Sequence, residues 1–102
     1  MKGLIAVLVF ALLLGCLGPK VMSAGELSNS TADYLGEKVY VRGTVKDSFK
    51  LGKLSGFELV DENGAILVSS NTLPREGAEV TVQGTVMKEM FVGYYVLAKD
   101  IN

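Results

Sequence analysis

The chain has 102 residues, a net charge of −1 and a hydrophobic content of 49%. This length allows a single domain, and the slightly acidic charge argues against a phosphate-binding surface, which needs a field of Lys and Arg. Histidine is absent and the one cysteine is Cys16. The usual general base, the commonest metal ligand and an internal disulfide are therefore excluded.

The N-terminal residues have the composition of a targeting segment. One positive residue, Lys2, precedes an uninterrupted apolar run over residues 4–14. A membrane span needs about 20 apolar residues, so this shorter run is typical of a secretory signal sequence instead. The stretch LLGC at residues 13–16 resembles the lipobox of prokaryotic lipoproteins. The resemblance implies a signal peptide over residues 1–16 and a lipid on the thiol of Cys16.

An uncleaved membrane anchor that ends at residue 21 or 22 is the alternative, with Cys16 as a small buried residue. Both interpretations attach the protein to the outer face of the cell membrane. The small and polar residues 17–29 are predicted to form a flexible tether. Residues 30–102 are predicted to form the folded domain.

The first predicted element of this domain is a short helix. Ser30 or Thr31 is expected to cap its N-terminus, and Gly36 is expected to end it after Leu35. The glycosylation acceptor pattern that begins at Asn29 is short enough to occur by chance, and a helix start explains the same residues.

Two stretches repeat one alternating pattern. VYVRGTV at residues 39–45 and VTVQGTV at residues 80–86 place Val or Gly at every second position, which is typical of strands with one buried face. Gly43 and Gly84 fall at the same place in the two stretches. Because a glycine inside a strand marks a bend or a close backbone approach, we predict that both are strand bends.

Three further runs complete the predicted sheet. The runs at residues 56–61 and 65–70 are joined by a turn at Asn63 and Gly64, which both tolerate positive φ, so they are predicted to form a hairpin. The last run, at residues 91–98, has apolar residues at consecutive positions. Its buried face therefore stays undecided.

The layout over residues 36–101 resembles the oligonucleotide/oligosaccharide-binding (OB) fold family. The long first strand, the Gly-Phe pair at residues 56–57 and the Asn-Gly turn carry this resemblance. It implies an all-β, five-stranded Greek-key barrel with one short N-terminal helix. The helix that usually follows the third strand has no room in residues 71–77, so the predicted helix at residues 31–35 is expected to close that end of the barrel.

A second resemblance is narrower. LPREG at residues 73–77 and FVGYYVLAKD at residues 91–100 are similar to the periplasmic haem chaperone of cytochrome c maturation. This resemblance implies an OB domain outside the membrane, with an N-terminal membrane attachment and haem as its ligand. The histidine that bonds haem covalently in that family would follow this strand and does not occur in the chain. The resemblance therefore covers the scaffold and not the attachment chemistry.

No catalytic site is predicted. Without a histidine or a cysteine in the domain, the usual pairs of nucleophile and base cannot form, and neither a metal site nor a resident cofactor is expected. Asp61 and Glu62, which lie beside the predicted turn, are interpreted as solvated carboxylates. We therefore expect a binding protein that is not an enzyme.

OB domains bind ligands on the face of their second and third strands, between two loops. The first of these loops is predicted over Lys46–Gly56, where lysines surround an aromatic ring. A solvated loop, an anionic chain or lipid headgroup, and a protein partner remain alternatives for this loop. A second patch on the first strand is alternatively a cross-strand pair. The candidate ligand-binding residues are Lys46, Phe49, Lys50 and Lys53 in the loop, and Tyr40 and Arg42 in the second patch.

These observations support three hypotheses. The first is a membrane-tethered, extracytoplasmic OB-fold binding module without catalysis. The second is a haem-handling accessory of cytochrome c maturation. The third is a nucleic-acid-binding OB domain, against which both the predicted location and the net charge argue.

Overall fold

The computed structural model describes residues 20–102, so the predicted signal peptide and Cys16 lie outside the described residues. Within residues 20–102, no helix has the length and apolar character needed to cross a bilayer. The elements in chain order are β1 (Val21–Ser23), α1 (Ala24–Ser28), a 3-10 helix (Thr31–Tyr34), β2 (Lys38–Leu51), β3 (Leu54–Asp61), β4 (Gly64–Ser69), β5 (Glu79–Glu89) and β6 (Gly93–Ile101).

Strands β2 to β6 close into a barrel in the order β2-β3-β4-β6-β5, with β5 pairing back onto β2. The β4–β6 pair is parallel and the other barrel pairs are antiparallel. The 14-residue strand β2 belongs to both halves, because it pairs with β5 as far as Thr44 and with β3 from Thr44 onwards. This topology confirms the predicted five-stranded OB-fold.

The barrel core follows the period-two pattern of the sequence. Side chains of a strand alternate between its two faces, and the valines at every second position of β2 and β5 point inward and are buried. Strands β3, β4 and β6 add one or two inward side chains each. The buried barrel residues are Val39, Val41, Val45, Phe57, Leu59, Ile66, Val68, Val80, Val82, Val86 and Val96.

Gly43 and Gly84 both lie where neighbouring chains come close. A Cβ on Gly43 would lie 2.9 Å from the backbone oxygen of Val60, next to the residue at which β2 changes partner. A Cβ on Gly84 would lie 2.7 Å from Cγ1 of Val96, beside a register shift in the β5–β6 pair. Close approach therefore accounts for both glycines, one beside the change of partner in β2 and the other beside the register shift in the β5–β6 pair.

The prediction of a flexible tether over residues 17–29 is wrong from residue 21 onwards. Strand β1 pairs in parallel with β2, and Met22, Ala24 and Leu27 are at most 4% exposed in the same core cluster as the barrel residues. Helix α1 begins after Ser23, whose hydroxyl accepts a hydrogen bond from the N–H of Glu26 at 3.2 Å. Three apolar residues on one side of a short segment are enough to dock it, although its composition is small and polar.

Helix α1 also takes the role expected of the helix at residues 31–35. Leu27 of α1 is fully buried and α1 packs against β3 and β4, whereas the 3-10 helix contains no buried residue. The Ser30 hydroxyl does not cap the 3-10 helix, because it donates to the backbone oxygen of Glu26. Gly36 ends this segment with a positive φ of 82°, as predicted.

The β3–β4 hairpin forms at the predicted turn, but positive φ is not its cause, since neither Asn63 nor Gly64 has one. Instead, Asp61 Oδ1 accepts the N–H groups of Asn63 at 2.7 Å and Gly64 at 3.1 Å. Asp61 Oδ2 accepts the N–H of Gly25 at 2.8 Å. Asp61 is therefore not simply solvated, because it ties α1 to the hairpin. The hydrogen bonds from Gly25 and Asn63 lower the pKa of Asp61 from its ordinary value of 3.8, against a smaller opposing effect of desolvation.

We expect Asp61→Asn to reduce stability at neutral pH and to remove part of the acid sensitivity of the fold. Because the pKa of Asp61 is lower in the folded state, its contribution is complete above pH 3.8 and is lost as the pH falls further, through the folded pKa. Urea unfolding above and below this pH measures the effect. Glu62→Gln, at the exposed neighbouring position, is the matched control. Equal acid sensitivity in wild type and Asp61→Asn would contradict the prediction.

Candidate functional site

A groove with a volume of about 610 Å³ lies on the outer face of the barrel. This volume is within the usual range for a small-molecule or peptide-side-chain site. Six of its eight lining residues are aliphatic or aromatic. We call it the apolar groove, and its lining residues are Phe49, Leu54, Leu67, Ser69, Glu89, Phe91, Val92 and Tyr95.

The floor of the apolar groove consists of outward-facing residues of β4 and β6. Ile66 and Val68 point into the core, so Leu67 between them points outward. Tyr95 precedes the inward-facing Val96 and is the register partner of Leu67 across the parallel β4–β6 pair. The two side chains therefore lie side by side on one surface. Of these two strands, β4 is the third strand of the barrel and belongs to the face on which OB domains bind ligands.

One wall of the groove comes from the β2–β3 hairpin, which corrects the predicted loop over Lys46–Gly56. Strand β2 continues to Leu51 and pairs with β3 beyond a register shift between Lys46 and Phe49. Asp47, inside this irregularity, is the one non-glycine residue with positive φ in residues 20–102. The irregularity places Phe49 opposite Gly56, where a Cβ would lie 3.1 Å from Cζ of the Phe49 ring. The ring therefore packs back onto the barrel.

None of the three lysines of this hairpin lines the apolar groove. Lys46 pairs with Glu58, and Lys50 pairs with Ser55 on the face of the hairpin opposite to Phe49. Lys53 lies in the turn at the tip. All three are exposed. Of the four candidate residues in this segment, only Phe49 belongs to the groove.

The opposite wall comes from the turn between β5 and β6. Phe91 and Val92, predicted to begin the last strand, lie in this turn, and the strand begins at Gly93. Glu89 Oε2 accepts the N–H groups of Phe91 at 3.1 Å and Val92 at 3.0 Å. Its carboxylate thus fixes the turn from inside the groove. The Phe91 side chain is 90% exposed and is available to a ligand.

Tyr40 and Arg42 lie away from the apolar groove, beside β1. Tyr40 is paired with Val21, and Arg42 with Ser23. Arg42 Nε donates to Glu79 Oε1 at 2.8 Å in an exposed salt bridge, which is the kind of cross-strand pair considered as the alternative. Exposed pairs of this kind contribute about 0–1 kcal/mol. The assignment of Tyr40 and Arg42 as ligand-binding residues stays a prediction.

The chemistry that the groove offers is apolar contact and stacking. Its polar members are Ser69, Glu89 and the Tyr95 hydroxyl, and Glu89 already accepts two backbone hydrogen bonds. In residues 20–102, no group of three or more Cys, Asp or Glu side chains is arranged to hold a metal ion.

The sequence carried a signal for this groove in its apolar runs. AILV at residues 65–68 and YYVLA at residues 94–98 have apolar residues at consecutive positions. A strand with one wet face should alternate, and a continuous apolar run indicates two apolar faces. The outward members of these runs, Leu67 and Tyr95, are the groove floor.

Comparison with known proteins gives the fold and no family. No protein-family model matches the chain, and no curated protein sequence matches it. A putative aspartyl-tRNA synthetase from Leishmania major Friedlin is similar in structure, with a TM-score of 0.66 and 18% identity, over 84% of this chain and 21% of that one. Asparaginyl-tRNA synthetase from Pyrococcus horikoshii, complexed with asparaginyl-adenylate, has a TM-score of 0.59 and 19% identity, over 69% and 19% of the two chains.

A protein of similar size also matches. An OBody bound to hen egg-white lysozyme has a TM-score of 0.59 and 20% identity, over 69% of this chain and 80% of that one. The chain spans about a fifth of the length of the synthetases. At these identities the likeness establishes the OB-fold alone.

Proposed function

We propose that this protein is a non-catalytic binding module, attached to the outer face of the cell membrane, that holds its ligand in the apolar groove. The observation that supports this most directly is the position of the groove. Its walls are the β2–β3 hairpin and the β5–β6 turn, the two connections that flank the binding sites of OB domains, and its floor includes β4, the third barrel strand. The ligand class that fits is an apolar or aromatic group.

The energetics require a ligand that fills the groove. Covering one exposed Phe or Leu side chain contributes about 1.5–3 kcal/mol, whereas association costs at least about 4 kcal/mol. Contact with Phe91 alone is therefore too weak to bind. A ligand has to cover Phe91 together with the half-buried Leu67 and Tyr95 to offset this cost.

The membrane attachment in this proposal rests on the sequence of residues 1–16. A short apolar run that ends in Leu-Leu-Gly-Cys supports lipidation at Cys16, and two or more acyl chains hold a protein stably where one does not.

A haem-handling accessory is the alternative function. Phe49, Phe91 and Tyr95 line one groove, and aromatic side chains stack on flat rings. The covalent attachment used by the haem chaperones is excluded by the lack of histidine, so only non-covalent binding is compatible with this chain.

A nucleic-acid-binding OB domain is the weaker alternative. Single-stranded nucleic acids need basic residues along the groove to follow the phosphates, as well as aromatic rings. The lining of the apolar groove contains no Lys or Arg and one Glu.

Leu67→Asp should weaken ligand binding and leave the fold intact, because Leu67 is on the outer face. The binding of 8-anilinonaphthalene-1-sulfonate, a fluorescent probe of apolar surface, measures the groove directly. We expect saturable enhancement with the wild type and a loss of at least tenfold in affinity with Leu67→Asp, about 1.4 kcal/mol. Leu35→Asp, at an exposed leucine outside the groove, is the matched control.

Equal probe binding by Leu67→Asp and the wild type would overturn the assignment of the groove. Haem is titrated in the same way, and its Soret band reports binding. A shifted band that saturates in the wild type and is lost in Leu67→Asp would favour the haem alternative. A spectrum identical to that of free haem would remove it.

A further inference from the structure

The tip of the β5–β6 turn exposes three consecutive apolar side chains. Met90 and Phe91 are each 90% exposed, and Val92 is 45% exposed. Surface hydrophobic residues are normally scattered singly, and a contiguous exposed group indicates a site of interaction. We call Met90, Phe91 and Val92 the apolar tip.

Two backbone N–H groups of the apolar tip already have hydrogen-bond acceptors within the protein and do not depend on water. Backbone N–H groups that lose water need another acceptor, and the carboxylate of Glu89 already accepts those of Phe91 and Val92. The one acidic side chain next to the tip is thus engaged with the turn itself.

One lysine lies beside the apolar tip, and two lie on the hairpin across the groove. Lys88 lies just before the tip, with Nζ 5.2 Å from the centre of the Tyr94 ring. Lys50 and Lys53 lie at the β2–β3 hairpin, which forms the other wall of the groove. Among the residues that the structure describes, Arg42–Glu79 is the only salt bridge. These three lysines are therefore free to meet anionic headgroups, which attract basic residues close to a membrane surface.

The start of the folded chain faces the same way as the apolar tip. Val21 lies level with Tyr40, and Tyr40 lies level with Gln83 of β5. Strand β1 runs parallel to β2, and β5 runs antiparallel to β2. The chain therefore enters β1 from the same side of the barrel as that on which β5 ends. From Gln83 to its end at Glu89, β5 advances six residues, which is roughly 20 Å along the strand at about 3.4 Å per residue.

The tether is too short to keep the domain away from a membrane. Since β1 begins at Val21, only residues 17–20 separate it from Cys16. Five residue steps span at most about 18 Å, at about 3.3–3.6 Å per residue. This reach is comparable with the projection of the apolar tip towards the same side. A lipid on Cys16 would therefore bring the tip to the level of the bilayer surface.

We infer that the apolar tip docks into the surface of an anionic lipid bilayer, with Met90 and Phe91 in the interface and the lysines among the headgroups. Interfacial binding of this kind combines apolar burial with electrostatic attraction to anionic lipids. The inference rests on the membrane attachment in the proposed function. It adds an orientation, in which the mouth of the apolar groove lies against the membrane and its ligand comes from the lipid phase or its surface.

The absence of Trp from the chain allows a direct test. Full-length Phe91→Trp, produced in cells that process lipoproteins, is reconstituted into vesicles of phosphatidylcholine and phosphatidylglycerol. We expect a blue shift of the tryptophan emission and strong quenching by brominated lipids. Full-length Leu73→Trp, in the β4–β5 connection outside the groove, is the control and should show neither. Lys50→Ala combined with Lys53→Ala should reduce the quenching of Trp at position 91.

Flotation of the same vesicles separates the two hypotheses. Protein that floats with the vesicles but shows an unshifted, unquenched Trp at position 91 would overturn the docking and leave the attachment intact. Failure of the wild type to float would overturn lipid attachment through Cys16, and so would equal flotation of the wild type and of Cys16→Ser. If the Cys16→Ser variant floats as well as the wild type, equal quenching of Trp at positions 91 and 73 would also overturn the docking.

Discussion

Replacing Leu27 by alanine should lower the free energy of unfolding by about 2–5 kcal/mol. Leu27 is fully buried, and it joins the same core cluster as the barrel valines. Removal of its isobutyl group loses the transfer free energy of the side chain and leaves a cavity at the end of the barrel that α1 covers. Urea unfolding followed by circular dichroism measures the change.

Leu35→Ala is the matched control for this substitution. It makes the same chemical change in the same N-terminal region, but Leu35 is 49% exposed, and a surface substitution usually changes stability by less than about 0.5 kcal/mol. A Leu27→Ala protein as stable as the control would mean that residues 21–28 are a tether after all.

The contrast between these two leucines shows why the start of the folded domain was predicted at residue 30 rather than at residue 21. Residues 21–28, VMSAGELS, contain too few apolar residues for a period to be recognised. Met22 and Leu27 are buried by tertiary packing, because they cover the end of a barrel that lacks the usual helix between β4 and β5. Short apolar runs with turn residues between them did predict the five barrel strands, because strand periodicity is local.

The candidate site was predictable in part for a similar reason. The fold resemblance predicted binding on the face of β3 and β4, with Phe49 as one of the ligand-binding residues. The apolar groove instead has β4 and β6 as its floor, and Phe49 lies in one of its walls. The lysines of the same segment were grouped with Phe49 by their nearness in sequence. Strand β2 continues to Leu51 where a loop was predicted, and the alternation of side chains along a strand then places Lys50 on the face opposite to Phe49. The register shift that allows β2 to continue cannot be read from spacing alone. Phe91 was assigned to a strand because the turn that exposes it depends on hydrogen bonds to the Glu89 side chain.

The groove and the apolar tip are both carried by β6 and the turn before it. Tyr95 lies in the groove floor, and Phe91 belongs both to the groove wall and to the tip. A displacement of β6 should therefore alter ligand binding as well as stability. Gly84, which lies beneath β6, offers a way to produce such a displacement.

Gly84→Ala should destabilise the fold by about 1–3 kcal/mol, the usual cost of overpacking, and should weaken probe binding in the groove. The new Cβ would collide with the backbone oxygen of Leu97 and lie 2.7 Å from Cγ1 of Val96. Since the backbone oxygen cannot rotate away as a side chain does, β6 itself has to move. The reduced entropy of the unfolded chain, worth about 0.4–1 kcal/mol for Gly to Ala, offsets only part of this cost.

Gly36→Ala distinguishes a steric collision from backbone strain. A Cβ on Gly36 would meet nothing within 4 Å, but its φ of 82° is unfavourable for alanine, at a cost of about 1–2 kcal/mol. We expect a similar loss of stability from this variant with unchanged binding of 8-anilinonaphthalene-1-sulfonate. Gly84→Ala should lose both stability and probe binding, because the strand that it displaces carries the groove. Unaltered probe binding by Gly84→Ala would show that the groove does not depend on the position of β6.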